Sequence, residues 1–304
     1  MKDPRAPHRS QARGGPLHEG RSTARRLWAL GEPYHALPYF ADECQAAGEA
    51  VGLKGFWQTY FALRAAPLGA VGPEVVTAVF FNFAPPFVAR RVPAVWQAVM
   101  PDAALAARLA GVDTAVRRVL GEEWLASADV VEVAELAGVA AAAVDLPGRP
   151  LAAANTGVPV PEEPHLALWQ SFTTLREHRG DGHNAALVER GIDGVGAHVL
   201  AAAAGRSTRG WLQKARGWDD AAWDAGIEQL TARGWLDDEG LTAEGLTTVA
   251  AVEADTDRLA LGPWRALGDA GCDRLAALLL PVRQAVVAAG EWPAGNPIGV
   301  PDPE

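Results

Sequence analysis

Cysteine is scarce. Cys44 and Cys272 are the two in 304 residues, too few and too far apart for a disulfide scaffold, and they suit a reduced, cytoplasmic chain. Lysine is nearly missing, with three against 24 arginines; GC-rich bacterial coding produces that bias without any demand for phosphate recognition. No apolar run approaches the ~18 residues of a membrane span; the longest, Val199–Ala204 and Ala276–Pro281, are short. The first thirty residues lack the ~7–15-residue apolar centre of a secretory leader. A cytoplasmic protein with no membrane partner is therefore expected. Also missing are a Gly-x-Gly-x-x-Gly turn after a strand, a Walker loop, a Gly-x-Ser-x-Gly elbow and a Cys-x-x-Cys pair. Their absence argues against most nucleotide-dependent enzymes and structural zinc modules. No cofactor is specified, and the substrate stays unknown.

Charge is present but unevenly placed. The net charge of −10 excludes a protein whose whole surface grips nucleic acid. Residues 1–30 hold seven basic and two acidic side chains, a local +5, so the rest carries −15. The first twenty residues, rich in Pro and Gly, read as a flexible basic arm, and residues 293–304 as a flexible tail.

Nearly every other segment reads as helix, and paired runs of period-two alternation are missing from residues 1–144. Proline opens helices near Pro38, Pro73 and Pro86, where its missing N–H costs nothing. Residues 103–120 and 128–144 are alanine-rich and helix-favouring. Five prolines among residues 145–164 suggest an extended linker. The expected fold is all-α in two helical halves, 21–145 and 165–292, joined by the linker 146–164. In the second half, Asp219 or Asp220 caps a helix to about Arg233. Two hydrophobic pairs around an acidic, Gly-containing turn follow, then a helix from Thr242 and a last helix over Asp273–Ala289.

Short helices, a tight hairpin and then a helix opening Leu-Thr-x-x-Gly make residues 192–260 resemble the winged helix-turn-helix of multiple-antibiotic-resistance-type regulators. The residues are Gln229-Leu-Thr-Ala-Arg-Gly-Trp-Leu236 and Gly240-Leu-Thr-Ala-Glu-Gly245. More broadly, residues 25–290 resemble an actinobacterial helix-turn-helix family without an established activity, on Tyr60-Phe61, Arg64-Ala-Ala-Pro-Leu-Gly69, Arg176-Glu-His-Arg-Gly-Asp-Gly-His183 and Asp255-Thr-Asp-Arg258. The regulator resemblance implies a third helix in the DNA major groove and a wing on the backbone. Here residues 219–257 carry eleven acids and one base, placing repulsion where counterion release should supply affinity. A scaffold for packing or for a homodimer is expected ahead of DNA as a partner.

Residues 176–183 put six ionisable groups in eight positions. If the glycines at 180 and 182 break the helix, His178 and His183 can turn into one space. With Asp181 and Glu177 they are candidate acid–base residues. Two imidazoles and Asp181 could instead hold a metal or belong to a haem site, although a spacing of five departs from a helical ligand pair. A surface ion-pair network is the third reading. Arg176, Arg179, Tyr60, Arg64 and Trp169 are candidate ligand-binding residues, Tyr60 and Arg64 being one helical turn apart. His35, His165 and His198 read as structural, and the eleven tryptophans as core before aromatic pocket. The leading expectation is a small-molecule-binding protein of regulator ancestry with its pocket between the halves. A secondary-metabolism enzyme using His178 or His183, and a ligand-responsive DNA-binding regulator, are the alternatives.

Overall fold

The computed structural model describes residues 22–293, with Ile298 and Val300. The expected basic arm (1–20) and nearly all of the expected tail (293–304) lie outside the described residues. Within them the fold is all-α apart from one small hairpin. Helix starts follow local chemistry. Serine, threonine and aspartate side chains cap α1 (Thr23–His35), α9 (Ala128–Ala142), α12 (Gly194–Ala203), α13 (Arg209–Arg216), α14 (Asp220–Ala232) and α15 (Ala243–Leu259) by accepting a first-turn N–H. Proline occupies the first turn of α2 (Leu37–Phe40), α5 (Pro73–Phe80), α6 (Pro85–Ala89), α7 (Val92–Ala98), α8 (Pro101–Leu125), α10 (Pro150–Thr156), α11 (Pro164–Glu189) and α16 (Gly262–Ala288). The remaining helices are α3 (Asp42–Ala50) and α4 (Gly55–Ala65). Strands β1 (Leu236–Asp237) and β2 (Gly240–Leu241) pair antiparallel, Leu236 opposite Leu241.

Three expectations are corrected. First, α11 runs unbroken for 26 residues through Gly180 and Gly182. Each glycine costs about 1 kcal/mol of helix propensity, which burial on nearly all sides outweighs. Gly182 serves close approach instead of a turn: a Cβ there would lie 2.9 Å from Arg149 Nη1 and 3.2 Å from Leu259 Cβ. Second, the proline-rich 146–164 segment is not extended throughout; it carries α10, whose first turn is packed on α11. Third, the last helix begins earlier than Asp273, because it continues N-terminally across a bend at Gly268, where φ is +74°. Helix α1 lies within the half expected to be helical and packs on α11 and α16.

Helix α11 is the axis of the molecule, flanked by α1, α8, α9, α10 and α15. The largest apolar core draws Leu27, Val112 and Ala137 from before 146–164 and Leu168, Leu275 and Val286 from after it. The core therefore does not divide at that segment. A second, aromatic core collects Phe61, Phe80, Phe83 and Phe87 with Trp57 and Tyr60 at its edge. A third, smaller one ties Leu187 of α11 to Val195, Trp223, Leu230, Trp235 and Val252 of the α12–α15 region. Both cysteines are free and buried. No single helix among the described residues is long and apolar enough to cross a membrane.

Candidate functional site

On a continuous helix successive side chains rotate by about 100°, so residues 176–183 fan out instead of converging. His178 and His183, five apart, sit about 140° apart around the axis. His178 Nε2 donates to Asp145 Oδ1 at 2.7 Å. His183 pairs through Nδ1 with Thr256 Oγ1 at 2.9 Å. The Thr256 hydroxyl gives its one hydrogen to Val252 O, so His183 Nδ1 is the donor there. Burial lowers both imidazoles below their ordinary value, His183 to about 4. The convergent histidine pair is thus corrected by the unbroken helix. Among the described residues no three His, Cys, Asp or Glu side chains are grouped to hold a metal.

The other members each serve a different neighbour. Asp181 Oδ2 accepts the N–H groups of Leu151 and Ala152, both at 3.0 Å, and so caps α10 from outside that helix. Burial, together with the charge of Glu177, lifts its carboxyl to about 6 against those two hydrogen bonds. Arg179 pairs with Asp257 at 2.8 Å and lies 4.5 Å above the Trp28 ring. Arg25, from the basic beginning of the sequence, holds Asp257 and Glu253 at 2.8 and 2.6 Å. Arg149 donates to the carbonyls of His178 and Leu259.

Glu177 is where charge concentrates. Its two oxygens accept from Arg64 Nε and Nη2 at 2.9 and 3.1 Å, a two-pronged pair. Arg176 Nη1 adds a third bond at 2.9 Å. Burial opposes ionisation, but the two guanidiniums outweigh it and hold the carboxyl well below the usual range. Arg64 also donates to Tyr60 OH at 3.0 Å and covers the Phe80 ring. The expected Tyr60–Arg64 pair is therefore present and reaches the expected Glu177.

Beside this pair lies a small pocket lined by His35, Pro38, Tyr39, Leu63, Arg64, Arg108, Asn155, Trp169, Thr173 and Glu177, with a cavity volume of about 10 Å³. It brings Arg64, Trp169 and Glu177 together. His178, Arg176 and Arg179 face a different cleft with Trp28 and Trp264, and Asp181 and His183 face neither. Arg108 is the residue the sequence reading missed. Its Nη1 donates to Leu63 O at 3.1 Å and its Nη2 to Gln170 Oε1 at 3.3 Å, while the guanidinium lies 4.9 Å from the Trp169 ring. Among the described residues no carboxylate bonds it. Burial lowers it to about 10, with Tyr39 and Glu177 opposing, so it stays charged at neutral pH. Its signal was legible: Arg108 stands four residues from Ala104 and from Val112 on the apolar stripe of α8. His35, read as structural, lines the same pocket. Thr173 gives its hydrogen to Trp169 O, so His35 Nδ1 donates to Thr173 and Nε2 is left as an acceptor. Buried Glu32 accepts from Trp28 at 2.7 Å and faces Arg176, and burial raises its carboxyl.

The surface of the α13–α14 region and the hairpin is acidic. Asp219, Asp220, Asp224, Glu228, Asp237, Asp238 and Glu239 are all exposed. Lys214 of α13 is exposed, whereas the nearby arginines are engaged. Arg209 bridges Asp220 and Asp224 at 2.8 and 2.7 Å, and Arg206 holds Glu253 at 2.7 Å. Arg233 donates to the Arg190 and Gly191 carbonyls and stacks on Trp235. Arg216 turns inward over Phe83.

These features define an all-α protein with one small hairpin and a pocket lined by Arg64 and Arg108. The model of a helix-turn-helix family matches residues 24–293, and the chain belongs to that family. No curated protein and no solved structure matches it.

Proposed function

We propose that this helix-turn-helix family member binds a small anion at the pocket between α2, α4, α8, α10 and α11. The observation that carries the reading is Arg108, a buried guanidinium with no carboxylate partner. In the same pocket Arg64 and Arg108 face one carboxylate, Glu177, which Arg64 and Arg176 already hold. An unpaired buried charge costs several kcal/mol, which an anionic ligand would offset. Within the family we read residues 192–260 as a winged helix of the multiple-antibiotic-resistance type: α12, α13, α14, a hairpin and α15 follow in that order. Its acidic face and paired arginines support a scaffold role ahead of base readout.

Thermal unfolding at fixed ionic strength, with acetate, phosphate or sulfate replacing chloride, tests the reading. At least one anion should raise the midpoint saturably, by the equivalent of about 2.7 kcal/mol at a hundredfold excess over its Kd. Arg108→Met should remove the effect. If no anion stabilises the protein beyond chloride, the reading fails. In a gel shift at 100 mM salt, sequence-specific retention of DNA would overturn the scaffold role.

A further inference from the structure

The segment joining α5 to α6 carries the one residue other than glycine with positive φ among the described residues. Phe81 has φ 55° and ψ −59°. Asn82 N–H donates to Phe80 O at 2.7 Å, which closes a γ-turn of the rare, strained kind. A bulky side chain stays in that conformation only where its surroundings over-determine the backbone. Here the surroundings are α12 and the turn between α13 and α14. Asn82 O accepts from His198 Nε2 and from Trp218 Nε1, both at 3.0 Å. Ala84 N–H donates to Arg216 O at 2.9 Å, and the Arg216 guanidinium lies 4.6 Å from the Phe83 ring. From α11, Asn184 Nδ2 donates to Val79 O at 3.2 Å. Two glycines permit the approach. A Cβ at Gly194 would lie 2.6 Å from Phe81 O, and one at Gly217, where φ is +79°, would lie 2.2 Å from Phe87. Phe81 packs against the α12–α15 core, and Trp218 borders both that core and the aromatic one.

We propose that residues 79–87 form a strained strap that clamps α12 and the α13–α14 turn to the helical body and can release them. In the docked state Asn82 O is the shared acceptor of the clamp. In the released state Phe81 returns to ordinary negative φ, and Asn82 O, His198 Nε2 and Trp218 Nε1 turn to water. The strain exists only while the strap is docked. It therefore offsets part of what the contacts contribute and brings the two states closer in free energy than the contact list alone suggests. Release frees α12 and α13 to shift against the aromatic core, while α15 stays on α11 through the Arg179–Asp257 and His183–Thr256 pairs. A partner that prefers the released face of α12 would act by competing with the strap.

Hydrogen exchange followed by NMR in the full chain tests the strap. The Trp218 indole N–H and the Ala84 amide report its docking, and the amides of α9, whose Val133 and Ala137 lie in the main core, report global unfolding. Protection factors of the two strap protons should be at least tenfold lower than those of α9. Equal protection overturns the proposal, because the strap would then open only when the whole molecule unfolds. Phe81→Ala and Phe81→Gly both lose the ring and differ in their tolerance of positive φ. Phe81→Gly should protect the strap protons at least threefold better than Phe81→Ala, the reverse of the usual cost of glycine. Equal or poorer protection in Phe81→Gly overturns the strain. Gly194→Ala favours the α12 helix by propensity but sets a methyl group against Phe81 O. It should lower strap protection at least tenfold and leave α9 unchanged, with circular dichroism checking the fold, and this arm stands even if the Phe81 variants do not fold. Unchanged strap protection in Gly194→Ala overturns the clamp.

Discussion

Glu177 shows how one side chain can anchor two elements. Buried at the middle of α11, it neutralises Arg64 of α4 and Arg176 of its own helix. Removing one partner of such a cluster is expensive, because the remaining charges stay buried. Glu177→Gln should therefore lower the stability to urea by about 3–5 kcal/mol. The double change Glu177→Leu with Arg64→Met, which removes charge from both sides, should lose less than the single one. Equal losses would show that the pair contributes shape and not charge. The sequence placed Tyr60 and Arg64 on one helical face, since that follows from a spacing of four. It did not place Arg108 in one pocket with Asn155 and Trp169, since the three come from different helices.

Helix α10 illustrates a different dependence. It is seven residues long and none of its own side chains caps it; isolated helices this short are marginal in water. Its start is held by Asp181, thirty residues away in sequence from Leu151. Asp181→Ala should cost about 1–2 kcal/mol, as the loss of a helix cap does, and Asp181→Asn, which keeps an acceptor, should cost less. Amide exchange of residues 150–156 should quicken in Asp181→Ala before that of α11. Uniform acceleration along both helices would deny the capping role. Prolines in 145–164 suggested extended chain because proline is penalised inside helices, yet Pro150 sits in a first turn where that penalty vanishes. The glycines of α11 misled in the same direction, for propensity is a weak guide once a helix is buried on every side.

Across the whole molecule, four histidines set the response to acid. His35, His178, His183 and His198 are all lowered by burial, His183 to about 4 and His198 to about 3, against an ordinary value of 6.5. The unfolded chain then binds more protons than the folded one below pH 6.5. Their stabilisation is complete above that value and is lost as pH falls through the window from 6.5 toward 4. Asp181, raised to about 6 from 3.8, acts in the opposite sense between those two values, and raised Glu32 joins it. Four histidines against two carboxyls leave a net decline on acidification from pH 6.5 to 5, to be read from denaturant midpoints at intervals of half a pH unit. His183→Gln should reduce that slope by nearly one proton; an unchanged slope would show that His183 is already protonated in the folded state.

What the sequence alone determined is local. Helical spacing, first-turn prolines and Ser, Thr or Asp caps act within a turn of the chain, and they specify an all-α protein and most helix starts. Net charge is a sum over residues, so the acidic stretch at 219–257 was legible too. Tertiary structure decided which charged groups meet. Whether Arg108 faces water, a carboxylate or an empty pocket depends on how α8, α10 and α11 pack, and burial is what makes an unmatched donor or acceptor costly. The cluster at 176–183 was conspicuous in sequence for its density of charge. Only the unbroken helix showed that its members point to separate neighbours, and that the pocket to test lies around Arg108 and Asn155.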